Sequence, residues 1–115
     1  MGRSEHVEQR EFVRWFRQTQ RRDTRIFAVP NGGHRSLATA QRLKIEGVLA
    51  GVPDLYVPRW HLWIEMKKAT GGRLSSPQRD MIRHLEDCGD TVIVGYGCAD
   101  AIEKVEAWLE SKKES

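Results

Sequence analysis

The chain has 115 residues, of which 39% are hydrophobic and 30% charged, a balance typical of one folded domain rather than a disordered chain. No apolar run approaches the ~20 residues needed to span a bilayer. The net charge of +3 is uneven, since residues 1–50 carry +5, residues 51–84 carry +3 and residues 85–115 carry −5. The basic front is compatible with a face that meets a polyanion, and equally with a solvated arginine-rich helix.

Hydrophobic spacing and capping residues predict eight elements in the order α-β-α-β-β-α-β-α. The predicted helices run from Ser4 to Gln20, Ser36 to about Glu46, Ser76 to Cys88 and Asp100 to about Lys112; the predicted strands run from Arg25 to Val29, Asp54 to Val57, Leu62 to Lys67 and Thr91 to Tyr96. Ser76 is predicted to cap the third helix, with Pro77 at its first position. This order predicts one α/β domain over residues 1–115, with a mixed sheet flanked by helices.

The cysteines and the N-terminus indicate the compartment. Cys88 and Cys98 lie outside any C-x-x-C or Cys/His array, which favours reduced thiols over a disulfide or a metal site. The charged N-terminal stretch lacks the apolar segment of a secretion signal. We therefore expect a cytoplasmic protein, in the host cytoplasm if the source is viral, with no membrane partner.

The two central strands carry the most informative pattern. Alternation along the second of them places Glu65 and Lys67 on one face, opposite a core-like face of Leu, Ile and Met. If a four-residue loop from Pro58 to His61 joins the strands, paired residue numbers sum to 119, which places Asp54 opposite Glu65. Their Cβ atoms would then lie ~4.5–5.5 Å apart.

Two carboxylates that face each other across a sheet repel one another unless a cation lies between them. Mg²⁺ prefers oxygen ligands and keeps several waters, so it would resolve this conflict. Lys67 would lie ~6.6–6.8 Å beyond Glu65, within reach of a water or a phosphate oxygen at the metal. An exposed Glu-x-Lys strand would explain the second strand alone, but the alignment with Asp54 favours a metal site.

These residues resemble a known signature. Asp54 followed by Glu65-Met66-Lys67 is similar to the PD-(D/E)xK pattern of a large nuclease superfamily, and the chain as a whole resembles the VRR-NUC (virus-type replication-repair nuclease) family. The stretches that carry the resemblance are Glu5-His6-Val7-Glu8-Gln9, Val29-Pro30-Asn31-Gly32-Gly33, Gly47 to Leu55, Ile64 to Lys67, and Ser76-Pro77-Gln78. Met66 replaces the leucine that is usual in the family, a substitution that conserves volume.

The resemblance implies a restriction-endonuclease-like fold and phosphodiester hydrolysis on branched or flapped DNA, with Mg²⁺ as cofactor and Mn²⁺ as a substitute. Stand-alone phage and bacterial members of this kind resemble homodimeric Holliday-junction resolvases. Members embedded in large DNA-repair nucleases act as monomers on flaps. For this chain the resemblance favours the homodimeric enzyme, with the monomeric flap- or end-directed nuclease as the alternative.

The resemblance also implies roles for individual residues. Asp54 and Glu65 would ligate the metal, with the Met66 backbone carbonyl as a further ligand. Lys67 would orient the attacking water and stabilise the charge on the phosphorane. A glutamate of the first helix completes the pattern, and we expect Glu5 rather than Glu8 in this role. The last candidate, at the start of the third predicted helix, is Gln78, which would reach toward the catalytic strand.

Further candidates concern DNA binding and self-association. The side chains expected to bind the DNA backbone are Asn31, His34, Arg35 and Arg73. A plain turn is the alternative for the segment around Asn31. The arginines from Arg10 to Arg25 remain open between a DNA-binding groove and a solvated face. Large apolar side chains at Trp15, Phe16 and Trp108 give limited support to a dimer contact.

Two further classes of function compete with the metal-dependent nuclease. A nonenzymatic DNA-binding module would keep the fold and the basic face, but it gains nothing from carboxylates that face phosphate. A sequence-specific restriction-type nuclease would need recognition elements for which 115 residues leave little room.

Overall fold

The computed structural model describes residues 2–30 and 35–113. It contains eight helices and strands in the predicted order within these residues. The helices are α1 (Glu5–Thr19), α2 (Leu37–Ile45), α3 (Ser76–Asp87) and α4 (Cys98–Lys113), and the strands are β1 (Phe27–Ala28), β2 (Leu55–Val57), β3 (Leu62–Lys67) and β4 (Thr91–Tyr96).

The strands form one mixed sheet in the order β1-β2-β3-β4. The pairs β1–β2 and β2–β3 are antiparallel, and β3–β4 is parallel. The predicted four-residue loop joins β2 to β3 as a short 3₁₀ turn, Pro58–Trp60, followed by His61 in the left-handed conformation. The mixed α/β architecture predicted from the sequence is therefore confirmed.

The core lies between one face of the sheet and the pair α1 and α4. Leu62, Ile64 and Met66 of β3 are fully buried on this face, as their alternation predicts. Phe12 and Phe16 cover them from α1, four residues apart on one helical face. Small buried side chains of α4 complete the layer, so the opposite sheet face, which carries Glu65, is left to α3.

Three predicted boundaries were wrong by a few residues. Ser75, not Ser76, caps α3, because its hydroxyl accepts from the Gln78 N–H at 3.2 Å while the Gln78 side chain accepts from the Ser75 N–H at 2.8 Å. Helix α4 begins at Cys98 rather than Asp100, since a distant carboxylate binds its first N–H. Strand β1 covers two residues rather than five, because it pairs only with the short β2.

The aromatic residues expected at a dimer contact pack instead within the chain. Phe16 is fully buried, with its ring centroid 5.4 Å from that of Trp60, which in turn lies 5.8 Å from that of Trp108. Trp15 lies against the same cluster. Phe16 therefore belongs to the core, whereas Trp15 and Trp108 pack against it and stay partly exposed, so a part for these two in self-association stays a prediction.

Helix α2 is the element least attached to the rest of the fold. It buries none of its residues, and Leu37 and Ile45 are 75% and 86% exposed.

Both cysteines are free thiols, as predicted. Among residues 2–30 and 35–113, no helix combines the length and apolar character needed to cross a membrane.

Candidate active site

The pairing of β2 with β3 brings the two predicted metal ligands together. Leu55 pairs with Ile64 and Val57 with Leu62, so residue numbers sum to 119 along the ladder, as predicted. One further step of the same register places Asp54 opposite Glu65. The two carboxyl groups lie close enough to share a hydrogen bond when one of them is protonated.

Asp54 is held from three sides. Its Oδ2 accepts from the Met66 N–H at 2.7 Å, and its backbone carbonyl accepts from the Val29 N–H at 2.8 Å. The preceding turn presses against α3, where any Cβ at Gly51 would overlap the Pro77 carbonyl. Glycine at position 51 therefore allows the turn that delivers Asp54 and the helix that carries Gln78 to meet.

Glu65 is the central side chain of the site and is only 2% exposed. Its Oε2 lies 3.8 Å from the Lys67 Nζ and accepts from the Gln78 Nε2 at 3.4 Å. Its Oε1 is buried and has no hydrogen-bond partner among the described residues. Burial, followed by the neighbouring Asp54 carboxylate and the hydrogen bond with it, raises the pKa of Glu65 to about 8, with Lys67 acting in the opposite direction.

This arrangement fits a hard divalent cation. A buried carboxylate oxygen without a partner costs free energy, and a second carboxylate beside it adds repulsion. A cation between Asp54 and Glu65 removes both penalties. Within residues 2–30 and 35–113, no group of three or more His, Cys, Asp or Glu side chains is arranged to hold a metal ion. Two carboxylates are the donors that the described residues would offer, a set that would suit Mg²⁺ because this ion keeps several waters. The place of the Met66 carbonyl among the ligands stays a prediction.

Lys67 lies beside this pair and is 6% exposed. Its backbone carbonyl accepts from the Gly97 N–H at 2.8 Å, which ties the end of β3 to the turn after β4. On the other side the loop after β3 folds back, so that a Cβ at Gly72 would crowd the Lys67 Cβ. A buried ammonium group confined in this way is positioned toward Glu65 rather than toward bulk solvent.

The two acidic candidates of α1 have different surroundings. Glu8 is 5% exposed, and its Oε1 accepts from the Cys98 N–H at 3.1 Å and lies 3.7 Å from the Arg3 guanidinium. Glu5 is exposed but close enough to Glu65 to contribute to raising the pKa of that carboxyl. Glu8 is thus occupied at the start of α4, whereas Glu5 acts on the pKa of Glu65; the choice of Glu5 for the site stays a prediction.

Glu8 is the residue whose role the sequence analysis missed. It links α1 to α4 and, through Gly97, to the backbone of Lys67. A signal was present, because Glu8 precedes the core residues Phe12 and Phe16 at intervals of four and so belongs to the buried face of α1. The partner 90 residues away gave no such signal.

The predicted DNA-binding residues are less well defined. Asn31 and His34 lie outside the described residues. Arg35 donates to the Pro30 carbonyl at 3.2 Å, and Arg73 is exposed in the loop after β3. Among the described residues, no contact joins either arginine to the carboxylate pair, so their roles stay predictions.

The fold resembles that of a known protein. A solved structure described as a VRR_NUC domain protein matches with a TM-score of 0.80, covering 96% of this chain and 91% of that chain at 24% sequence identity. This likeness confirms the predicted restriction-endonuclease-like fold. Comparisons of the sequence with protein-family models and with curated proteins found no match.

Proposed function

We propose that this chain is a Mg²⁺-dependent, structure-specific DNA endonuclease that hydrolyses phosphodiester bonds and resembles a Holliday-junction resolvase. The observation that carries the proposal is the buried Asp54–Glu65 pair with its unpartnered Glu65 Oε1 beside Lys67. The likeness in fold to a VRR_NUC domain protein supports a nuclease of that kind.

The chain's own residues divide the work of hydrolysis. Asp54 and Glu65 would hold the cation, which would supply positive charge to a phosphoryl oxygen. Lys67 donates hydrogen bonds, so it orients a water for attack and stabilises the negative charge of the phosphorane. Gln78 fixes the rotamer of Glu65 through its Nε2, and the Met66 N–H fixes Asp54. Glu5 adds a carboxylate at the exposed side of the site.

A nonenzymatic DNA-binding module fits this geometry less well. A buried carboxyl group with a pKa raised to about 8, and with one oxygen that has no hydrogen-bond partner among the described residues, is a cost that a pure binding protein does not need. A flap- or end-directed monomeric nuclease would use the same residues, so only the substrate separates it from a junction resolvase.

Cleavage of defined DNA structures tests the proposal. The purified chain should nick a labelled four-way junction in the presence of Mg²⁺, and EDTA or Glu65→Gln should abolish the nicks. Paired nicks on opposing strands support junction resolution, whereas cuts confined to flaps or ends favour the monomeric alternative. Absence of cutting on junction, flap and duplex DNA alike, with Mg²⁺ or Mn²⁺, would refute the nuclease.

We also propose that the chain acts as a homodimer, because resolution needs two symmetric nicks and a two-fold dimer supplies two matching sites. Since Phe16 is buried and Trp15 and Trp108 are partly covered by the core, the more exposed apolar residues of α2, Leu37 and Ile45, are the better candidates for the contact.

Light scattering tests this contact. The wild type should have the mass of two 13.2-kDa chains, and Leu37→Gln/Ile45→Gln should have the mass of one. Arg42→Gln, in the same helix, is the control and should remain dimeric. A wild type that stays monomeric both free and with a four-way junction would contradict the dimer.

A further inference from the structure

Helix α1 separates its charges onto two faces. Arg10, Arg14 and Arg17 follow one another at intervals of four and three residues, so they lie on one side of the helix. The acidic residues Glu5 and Glu8 lie on another side, toward the carboxylate pair and α4. The three arginines therefore form a stripe along one face of α1 and are not spread around the helix.

This stripe borders a groove between α1 and β1 with a volume of about 390 Å³. The three arginines form one side of the groove, while Ile26 and Phe27 contribute apolar surface on the other. A groove with one basic side binds the phosphate backbone of a nucleic-acid strand, whatever its sequence.

The arginines of the groove are not neutralised by the chain itself. Among the described residues no carboxylate lies within ion-pair distance of Arg10, Arg14 or Arg17, and Arg17 donates only to the Ile26 carbonyl, at 3.4 Å. Other arginines behave differently, since Arg3 and Arg21 each pair with an acidic side chain. A row of unpaired guanidinium groups creates a positive potential along the groove.

One end of the groove comes close, along the chain, to the candidate active site. Its lining includes His6 and Leu55, which directly follow Glu5 and Asp54 in the chain. Beyond Arg17 the groove adjoins a second depression of about 340 Å³, to which Arg22 and other arginines contribute. The arginines therefore form a basic path along α1, from the residue after Glu5 toward the end of the helix.

We infer that this groove holds one strand of the DNA substrate as it leaves the active site, with Arg10, Arg14 and Arg17 on its phosphates. The inference rests on the proposed function. The eleven residue steps from His6 to Arg17 span ~16 Å at the rise of an α-helix. That length corresponds to about five nucleotide steps of a duplex strand. The phosphates of the strand supply the negative charge that the described residues of the chain do not place beside these three arginines.

The salt dependence of DNA binding tests the inference. A fluorescently labelled four-way junction and a duplex are titrated in EDTA, so that cleavage does not interfere, over a series of KCl concentrations. Arg10→Gln/Arg14→Gln should bind both more weakly and lower the slope of log affinity against log salt by about 2, one for each phosphate that the variant no longer neutralises. Arg83→Gln/Lys113→Gln removes two exposed charges elsewhere and should leave the slope close to that of the wild type.

The outcomes separate the groove from the nuclease. Unchanged slope and affinity in Arg10→Gln/Arg14→Gln would overturn the groove, even if the wild type cuts DNA. A slope that falls by about 2 in a protein that never cuts DNA would support the groove and refute the nuclease. If the same variant instead turns a dimer into a monomer with its salt slope intact, the arginines bind the acidic surface of a second copy, which also overturns the inference.

Discussion

Replacing Glu65 by glutamine should make the metal-free protein more stable at high pH and leave it nearly unchanged at low pH. The pKa of Glu65 is raised from 4.5 to about 8, chiefly by burial and then by Asp54. The folded state therefore binds a proton at this site between those two values while the unfolded state does not. Stability is fully present below the unfolded pKa and is lost as the pH rises through the folded pKa.

The magnitude follows from the size of this shift. Each unit of difference in pKa is worth roughly 1.4 kcal/mol, so the rise from 4.5 to about 8 corresponds to at most about 5 kcal/mol between pH 4 and pH 9. Glutamine keeps the shape of the protonated carboxyl group and does not titrate. The free energy of unfolding of Glu65→Gln minus that of the wild type should thus grow from near zero at pH 5 to several kcal/mol at pH 8.5.

Urea denaturation in EDTA at half-unit pH steps measures this difference. Glu106→Gln, at an exposed position of α4, is the control and should run parallel to the wild type. At pH 8.5 Mg²⁺ should raise the stability of the wild type toward that of Glu65→Gln and should stabilise the variant much less, because only the carboxylate attracts the cation. Parallel pH profiles for the wild type and Glu65→Gln would refute the burial argument, and with it the reason for placing a cation there.

Four further substitutions separate the roles within the site. Lys67→Ala should abolish cutting but keep DNA binding, because it loses an interaction worth ~2.7–4 kcal/mol in the transition state. Near-wild-type turnover would remove Lys67 from the mechanism. Asp54→Asn should strongly weaken Mg²⁺ binding in calorimetry, since a neutral amide holds a hard cation poorly; unchanged affinity would contradict the metal site. Glu5→Gln should slow cutting without changing the melting temperature. Glu8→Ala should instead lower the free energy of unfolding by ~0.5–2 kcal/mol, the range for loss of a helix cap. The reverse pattern would exchange the roles of the two glutamates.

The local part of the site could be predicted because it depends on one hairpin. The four-residue loop from Pro58 to His61 sets the register of β2 against β3, and the register sets which carboxylates face each other. Period-2 alternation then decides which side chains leave the core. None of these steps needs knowledge of distant parts of the chain.

The remaining features depend on contacts between distant segments. The hydrogen bond from the Cys98 N–H to Glu8 sets where α4 begins, and no pattern around Cys98 indicates it. When each helix is considered alone, Trp15 and Trp108 give it more large apolar surface than it needs to cover the sheet. Once the helices meet, both residues join one aromatic cluster with Trp60. Amphipathic spacing gives the buried face of a helix but not the partner that covers it.

Helix α1 contributes to the core, to the candidate site and to the groove, each with a different face. Phe12 and Phe16 fix it on the sheet, and Glu8 fixes its position along the sheet by binding the start of α4. That placement brings Arg10 to the groove, and Glu5 close enough to Glu65 to affect the pKa of that carboxyl group. The same core contacts that stabilise the fold therefore set the position of the carboxylate pair relative to the proposed strand path. Loss of a groove arginine should change affinity for DNA, whereas a shift of α1 should change affinity and chemistry together.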